Sequence, residues 1–174
     1  MFERSLELSA PARTDWFVDP ATGTAKLDAP AQLEPVEGDF LLAARVEVDF
    51  AATFDAGVLV LWRDERTWAK LCFEYSPDGE PMVVSVVTRG ASDDANSTVV
   101  DGHAVWLRLA RIGPAVAFHS SHDGARWSLV RHFALDGPLQ AGFLAQSPTG
   151  EGCTARFSEI AFTQATLGDI RSGA

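Results

Sequence analysis

Hydrophobic residues recur with a period of two along most of this sequence, and this alternation constrains the fold more than any other feature. In DFLLAARVEVDF (39–50) every even position is apolar, whereas the odd positions include Arg45, Glu47 and Asp49. Successive side chains of a β-strand point to opposite faces, so the segment predicts a strand with one face in a core. The same alternation occurs in residues 67–75, 103–112 and 114–122. The run AGVLVLWRD (56–64) is almost continuously apolar and predicts a strand that is covered on both faces.

Turn motifs separate these segments and indicate hairpins. Pro-Asp-Gly lies between segments 67–75 and 81–89, and Asp123-Gly124 follows segment 114–122. Proline presets φ, glycine accepts φ > 0, and Asp-Gly is a strong hairpin signal. No segment has a convincing amphipathic-helix pattern, although TQATLGDIRSG (163–173) could form a short helix. We therefore predict at least nine short, mostly antiparallel strands in a single β-sandwich domain over residues 1–174.

Several motifs resemble those of a known family in their order and spacing. They are GDF (38–40), AGVLVLW (56–62), WAKLCFEY (68–75), SVVTRGASD (85–93), VWLRLAR (105–111), SHDGARWSLVR (121–131) and GFLAQSPTGEG (142–152). Over roughly residues 15–162 the chain resembles the domain-of-unknown-function family that includes the regulation-of-enolase protein, in the concanavalin A-like lectin/glucanase superfamily. The resemblance implies an all-β, concanavalin A-like jelly-roll sandwich of two curved antiparallel sheets. It implies no particular activity, because the superfamily holds lectins, glycosidases and plain interaction modules.

Charge and apolar content exclude several classes of partner. The formal net charge is −10 at pH 7, which repels phosphate backbones and anionic lipid surfaces. We therefore expect neither nucleic-acid binding nor membrane binding. The first residues, MFERSLELSAPARTDWF, contain no long apolar run, so we expect no signal peptide, no transmembrane span and a cytoplasmic location. Cys72 and Cys153 lack the spacing of a zinc site, and we expect two buried thiols rather than a disulfide.

The segment TWAKLCFEY (67–75) points to a function because its two sides differ. One side is apolar, and the other carries Trp68, Lys70 and Glu74. In a curved sandwich the non-core side of the middle strands lines a concave face. Aromatic rings beside paired hydrogen-bond donors and acceptors on such a face suit a sugar.

Other strands are expected to contribute to the same concave face. By alternation we place Ser85, Val87 and Arg89 of the next strand beside Lys70 and Glu74. The complete set of predicted ligand-binding residues is Trp62, Lys70, Glu74, Arg89, Trp106, Arg108, His119 and Gln146. We expect a carbohydrate or another polar small molecule as the ligand, with no metal, no other cofactor and no catalytic residue.

Three other interpretations stay open. A solvated sheet face also carries Lys, Glu and Arg, and cross-strand ion pairs from Glu74 to Arg89 or Arg108 would stabilise it. A glycoside hydrolase would use Glu74 as an acid or a base. A protein-interaction or self-association domain, including a homodimer, would need no small ligand.

The motifs of known catalytic and metal sites are incomplete. Retaining glucanases of the superfamily often carry E-x-D-x-E on one strand, but here Glu47 and Asp49 lack the third acidic position. A glycosidase needs two carboxyl groups that flank the scissile bond, and Glu74 has no acidic partner on its own strand. HSSH (119–122) and SDDAN (92–96) offer too few ligands for zinc or calcium, and we interpret SDDAN as a solvated loop. A non-catalytic binding module is therefore favoured over an enzyme.

Overall fold

Fourteen strands make up nearly all the regular structure of the computed structural model, which describes residues 2–174. The strands are β1 (Leu6–Pro11), β2 (Trp16–Val18), β3 (Ala25–Leu27), β4 (Ala31–Val36), β5 (Phe40–Val48), β6 (Ala56–Asp64), β7 (Thr67–Tyr75), β8 (Pro81–Arg89), β9 (Ala91–Val99), β10 (Ala104–Ile112), β11 (Ala115–Ser121), β12 (Ser128–Ala134), β13 (Leu139–Gln146) and β14 (Gly152–Thr163). No helix long and apolar enough to cross a membrane occurs among the described residues.

Two antiparallel sheets of six strands form a sandwich, which confirms the predicted all-β jelly-roll fold. The first sheet has the strand order β1-β14-β5-β10-β11-β12, and the second has the order β4-β13-β6-β7-β8-β9. Strands β2 and β3 pair only with each other and form a small hairpin. The non-consecutive neighbours are strands that cross between the two sheets, as in a jelly roll.

Alternation determines which side chains enter the core between the sheets. Strand β5 alternates buried and half-buried residues without interruption, as its sequence predicts. From β7, Leu71 and Phe73 join the same core, where both are fully buried. This core contains aromatic contacts such as Phe143 against Phe157, with ring centroids 4.8 Å apart.

The second sheet is covered on both faces, because the β2–β3 hairpin packs on its outer side. Trp16 of the hairpin lies 4.8 Å from the ring of Trp62 and 6.1 Å from that of Trp68. The indole nitrogen of Trp16 donates a hydrogen bond to the carbonyl oxygen of Ala29 at 3.0 Å, which fixes the ring. Because both faces of the second sheet are covered, β6 carries apolar residues on both of its faces. The residues of the two faces belong to two different hydrophobic clusters.

The predicted face of β8 is wrong. Lys70 pairs with Val86 across the sheet, so Val86 shares the outer face with Lys70. Val87 belongs instead to the core between the sheets. Arg89 therefore lies on the side of the first sheet, and its guanidinium donates a hydrogen bond to the carbonyl oxygen of Ala134 at 2.6 Å.

Two other local predictions are corrected by the structure. The segment SDDAN is not a loop but part of the edge strand β9, in which Asp93 and Asp94 are exposed. The predicted C-terminal helix is absent, because β14 continues to Thr163 and the rest is irregular with one turn. The C-terminal segment (164–174) lies on the outer face of the first sheet, where Gly173 is buried. Cys72 and Cys153 are free and buried, as predicted.

Candidate functional site

A cavity of about 140 Å³ lies on the outer face of the second sheet, beside the β2–β3 hairpin. It is small compared with the roughly 300–1,000 Å³ of pockets for drug-sized ligands. Its walls combine ionisable, amide and aromatic side chains, namely Asp15, Phe17, Phe54, Lys70, Glu74, Val86, Asp94, Gln146 and Pro148. We call this the Lys70 cavity.

Strand register brings the polar groups of the Lys70 cavity together. Ala56 of β6 pairs with Glu74 on one side and with Gln146 on the other. The side chains of Glu74 and Gln146 therefore rise from the outer face of the sheet on either side of Ala56, and both line the cavity. Two rows further along the same face, Lys70 and Asp94 lie on either side of Val86.

Lys70 is the most deeply buried charge of the cavity, with an exposed fraction of 2%. Its ammonium group donates a hydrogen bond to the side-chain oxygen of Gln146 at 2.8 Å and lies 3.4 Å from a carboxylate oxygen of Asp15. It also lies 5.6 Å from the centre of the Trp68 ring, within the range of a cation–π contact. A buried ammonium group is tolerated when such partners replace its lost hydration.

Glu74 has no hydrogen bond and no ion pair within the part of the chain that the structure describes. Burial raises the pKa of its carboxyl group from 4.5 to about 8. The nearby charge of Lys70 opposes this rise, whereas Asp94 and Asp15 add to it. Glu74 is therefore mainly protonated at neutral pH, and its hydroxyl can donate a hydrogen bond into the cavity. Strongly perturbed carboxyl groups in a cleft are typical of functional sites.

Phe54 stands at the edge of the cavity in a strained backbone conformation. Its φ is 71°, and its side chain is 37% exposed. Positive φ is rare for a bulky residue. Such strain persists only when surrounding contacts enforce it, and it is common at ligand-binding positions.

The contacts that enforce this conformation come from both sides of Phe54. Its amide donates a hydrogen bond to the carbonyl oxygen of Tyr75 at 2.7 Å, and its carbonyl oxygen accepts one from Gln146 at 3.4 Å. The next residue, Asp55, is fully buried. One carboxylate oxygen of Asp55 accepts a hydrogen bond from the Ser147 hydroxyl at 2.6 Å, and the other accepts one from the amide of Ala52 at 2.8 Å.

The structure brings three of the predicted site residues together in the Lys70 cavity. They are Lys70, Glu74 and Gln146. Trp62 lies on the same outer face but packs against Trp16 and does not line the cavity. Glu74 does not form the ion pairs with Arg89 or Arg108 that the alternative of a solvated sheet face would allow, because Arg108 belongs to the other sheet and Arg89 lies on the opposite face.

The other predicted residues do not share this face, so the expected single binding surface is wrong. Trp106 and Arg108 belong to β10, and His119 belongs to β11, both in the first sheet. The Trp106 indole nitrogen donates a hydrogen bond to a carboxylate oxygen of Glu159 at 3.2 Å. Arg89 points toward the first sheet, as described above.

Several residues of the cavity were not predicted from the sequence. Asp15 and Phe17 come from the segment DWFVDP (15–20), which is too short for its alternation to reveal the hairpin that it forms. Phe54 and Pro148 lie in loops, where no periodicity exists to reveal their orientation. Asp94 was assigned to a loop, although its pairing with Val86 places it on the cavity side of β9.

The two acidic residues that match part of the glucanase motif lie away from the Lys70 cavity, and both form ion pairs. Glu47 lies 2.9 Å from Arg45, and Asp49 lies 2.8 Å from Arg156. Both acidic groups are away from the Lys70 cavity. Among residues 2–174 no group of three or more histidine, cysteine or acidic side chains is arranged to hold a metal ion.

Comparison with known protein families gives the membership of the chain. Residues 2–165 match the model of a protein family of unknown function, DUF1349. The chain belongs to this family. No curated protein matches the sequence. The description of this family names no activity.

Solved structures with the same fold include proteins of several kinds. A functionally unknown protein from Saccharomyces cerevisiae is 24% identical, with a TM-score of 0.87, and the match covers 95% of this chain and 90% of that one. A xylan β-1,4-xylosidase from Bacillus halodurans is 13% identical with a TM-score of 0.68, over 90% of this chain and 32% of the xylosidase. An alginate lyase from Klebsiella pneumoniae is 15% identical with a TM-score of 0.52, over 90% of this chain and 68% of the lyase. At these identities the likeness establishes the sandwich fold, and the chain spans about a third of the xylosidase.

Proposed function

We propose that this protein is a non-catalytic binding module whose Lys70 cavity takes a small, neutral, polyhydroxylated molecule such as a monosaccharide unit. The observation that carries the proposal is the mixture of hydrogen-bond donors and acceptors around one small cavity. Lys70 and the protonated Glu74 supply donors, and the carboxylate oxygens of Asp15 and Asp94 supply acceptors. Each hydroxyl of a sugar both donates and accepts, so it needs both kinds of partner.

The apolar part of the cavity supports the same ligand class. Phe17, Phe54 and Pro148 line it beside the polar groups. The C–H faces of a sugar ring pack against such surfaces while the hydroxyls reach the polar groups. A volume of about 140 Å³ suits one small ring rather than a long chain.

The balance of charge favours a neutral ligand over an anion. The single ammonium group, on Lys70, is already close to Asp15, and the cavity contains two further carboxyl groups. An anion would therefore meet more negative than positive groups and would lose its hydration without adequate compensation. By name, the xylosidase and the alginate lyase act on polysaccharides, which makes carbohydrates the first ligands to test.

A comparison of two lysine variants tests the proposal. The chain has only two lysines, Lys70 in the cavity and Lys26 on the hairpin, where 42% of its side chain is exposed. Calorimetric titration of a monosaccharide panel that includes xylose should detect binding to the wild type. Lys70→Met should weaken that binding by about 10- to 100-fold, the equivalent of a lost charged hydrogen bond. Lys26→Met makes the same chemical change outside the cavity and should bind normally.

Two results would count against this proposal. One is the absence of any heat of binding or thermal stabilisation with every sugar, because a ligand at 100 times its Kd should add about 2.7 kcal/mol to the free energy of unfolding. The other is equal affinity in the two lysine variants, which would place the ligand elsewhere.

A glycoside hydrolase is the second candidate, and the raised pKa of Glu74 inside the cavity favours it. A glycosidase needs one carboxylic acid to protonate the leaving oxygen and one carboxylate as base or nucleophile. Glu74 fits the first role, and Asp15 or Asp94 could fill the second from the same cavity. Nitrophenyl glycosides should then release nitrophenol with the wild type and not with Glu74→Gln. Binding of sugars without any release would leave the binding module as the function.

A further inference from the structure

A buried arginine without an anionic partner lies on the outer face of the first sheet. Arg108 is only 6% exposed, and within the described residues no carboxylate lies within ion-pair distance of it. Its guanidinium carbon is 4.2 Å from the centre of the Trp127 ring. One terminal nitrogen, Nη2, donates a hydrogen bond to the carbonyl oxygen of Gly173 at 2.7 Å, whereas Nε has no partner. Burial lowers the pKa of Arg108 to about 10, because the guanidinium loses water and no counter-ion replaces it.

His119 completes this patch and shows the same lack of partners. It pairs with Arg108 across β10 and β11 and is fully buried. Its Nε2 atom is 2.7 Å from the carbonyl oxygen of Ile170, and its Nδ1 atom has no partner. Burial, and to a smaller extent the charge of Arg108, lower the pKa of this imidazole, so at neutral pH it can donate through Nε2 without carrying charge. Buried polar groups without partners are rare and call for an explanation.

The C-terminal segment that covers Arg108 and His119 makes few contacts with them. The C-terminal segment has no strand or helix, and Gly173 is its one buried residue. Its polar contacts with Arg108 and His119 are the two backbone carbonyl groups of Gly173 and Ile170. The family match ends at residue 165, so the cover lies almost entirely outside the family domain. A segment with few buried apolar contacts opens at low cost in free energy.

We propose that Arg108, His119 and Trp127 form a binding site for a small carboxylate, and that the C-terminal segment is a displaceable lid over it. The carbonyl oxygen of Gly173 occupies the place of one carboxylate oxygen. A carboxylate offers two oxygens, so it can accept hydrogen bonds from both Nε and Nη2 in the paired geometry that guanidinium favours. It also gives the Arg108 guanidinium the anionic partner that it lacks, whereas a backbone carbonyl group is neutral.

Gly173 provides a way to open the lid without changing the site. A Cβ at this position would collide with Nη2 of Arg108 and would lie 2.7 Å from the Cβ of Trp127. The φ of Gly173 is also +72°, a conformation that side chains other than glycine disfavour. Gly173→Ala should therefore expel the segment. Gly168→Ala is the matched control, because a Cβ there would meet only the carbonyl oxygen of Ala174 at 3.7 Å.

Titration with malonate, followed by calorimetry and by tryptophan fluorescence, tests the site. The apparent affinity of a covered site is its intrinsic affinity multiplied by the fraction of molecules in which the site is open. If one wild-type molecule in ten is open, Gly173→Ala should therefore lower the Kd about tenfold. Gly168→Ala should bind like the wild type, and Arg108→Gln should not bind. Malonamide, which has the same skeleton without charge, should not bind any of these proteins.

Hydrogen exchange gives a second readout that needs no variant. Malonate should increase exchange of the amides of Asp169, Gly173 and Ala174, whose internal hydrogen bonds form the terminal turn. The proposal is overturned if malonate binds neither the wild type nor Gly173→Ala, if Arg108→Gln binds as well as the wild type, or if binding leaves this exchange unchanged. The site lies on the opposite sheet from the Lys70 cavity, so Lys70→Met should bind malonate normally and the two proposals can fail separately.

Discussion

The raised pKa of Glu74 predicts that the contribution of this residue to folding stability falls between mildly acidic and alkaline pH. A carboxyl group whose pKa is higher in the folded than in the unfolded state binds its proton more tightly when folded. Folding stability is then unaffected below the unfolded value of 4.5 and decreases as pH rises toward the folded value of about 8. Each unit of difference in pKa corresponds to about 1.4 kcal/mol, so the full loss is about 5 kcal/mol.

The part of this loss that falls within a convenient pH range is measurable. Between pH 6 and pH 9 the two pKa values of Glu74 predict a decrease of about 2–3 kcal/mol in the free energy of unfolding. Glu74→Gln keeps the shape of the protonated side chain and removes the titration. Urea unfolding gives the free energy of unfolding of the wild type and of Glu74→Gln at both pH values. The difference between their pH dependences isolates Glu74, because the contributions of the other titrating groups cancel.

Glu65→Gln is the matched control, because Glu65 is exposed in the turn between β6 and β7. It should follow the pH dependence of the wild type. If Glu74→Gln also follows the wild type within about 0.5 kcal/mol, the carboxyl group is not held protonated by the fold. Glu74 would then not act as a hydrogen-bond donor in the Lys70 cavity.

Three further predictions concern the frame that holds the site. Gly57→Ala should reduce the free energy of unfolding by about 1–3 kcal/mol in urea titrations, because its Cβ would lie 2.7 Å from a methyl group of Val46 in the core; an unchanged midpoint would contradict the packing described. Asp55→Ala should lower the free energy of unfolding by about 3 kcal/mol or more and should make the Phe54 loop more sensitive to proteolysis, because the buried carboxylate accepts several hydrogen bonds. An unchanged rate of cleavage would show that Asp55 does not hold the loop. Cys72 and Cys153 should not react with Ellman's reagent until the protein unfolds, because burial raises the pKa of both thiols, that of Cys153 to about 12; rapid labelling of the native protein would refute their burial.

The alternation of apolar residues predicted the sandwich, because a strand with one face in a core needs an apolar residue at every second position. In β5 and β7 one face is clearly apolar, and these strands lie as expected. In PMVVSVVTR both faces are apolar, since the hairpin covers the side away from the core. Periodicity then cannot select a face, which is why Arg89 was placed on the wrong side.

The site was only partly predictable because alternation distinguishes inside from outside but does not identify the sheet. Arg108 and His119 do point outward from their strands, as expected, but from the first sheet. The strand order that separates them from Lys70 depends on long-range pairing, which a local pattern does not encode. Asp15 reaches the cavity through the hairpin, and only its contact with Lys70 in the folded protein reveals it.

Strand β9 has a consequence for how copies of this protein meet in solution. It is one of the two edge strands of the second sheet, and its exposed residues include Asp93 and Asp94. If two molecules joined these edges in antiparallel register, a copy of Asp94 from each molecule would be added to the outer side of the joint, whereas Asp93 lies on the other face and is already 3.0 Å from Arg131. Asp94 therefore opposes association through this edge, and Asp94→Asn should make concentrated solutions of the folded protein aggregate more readily.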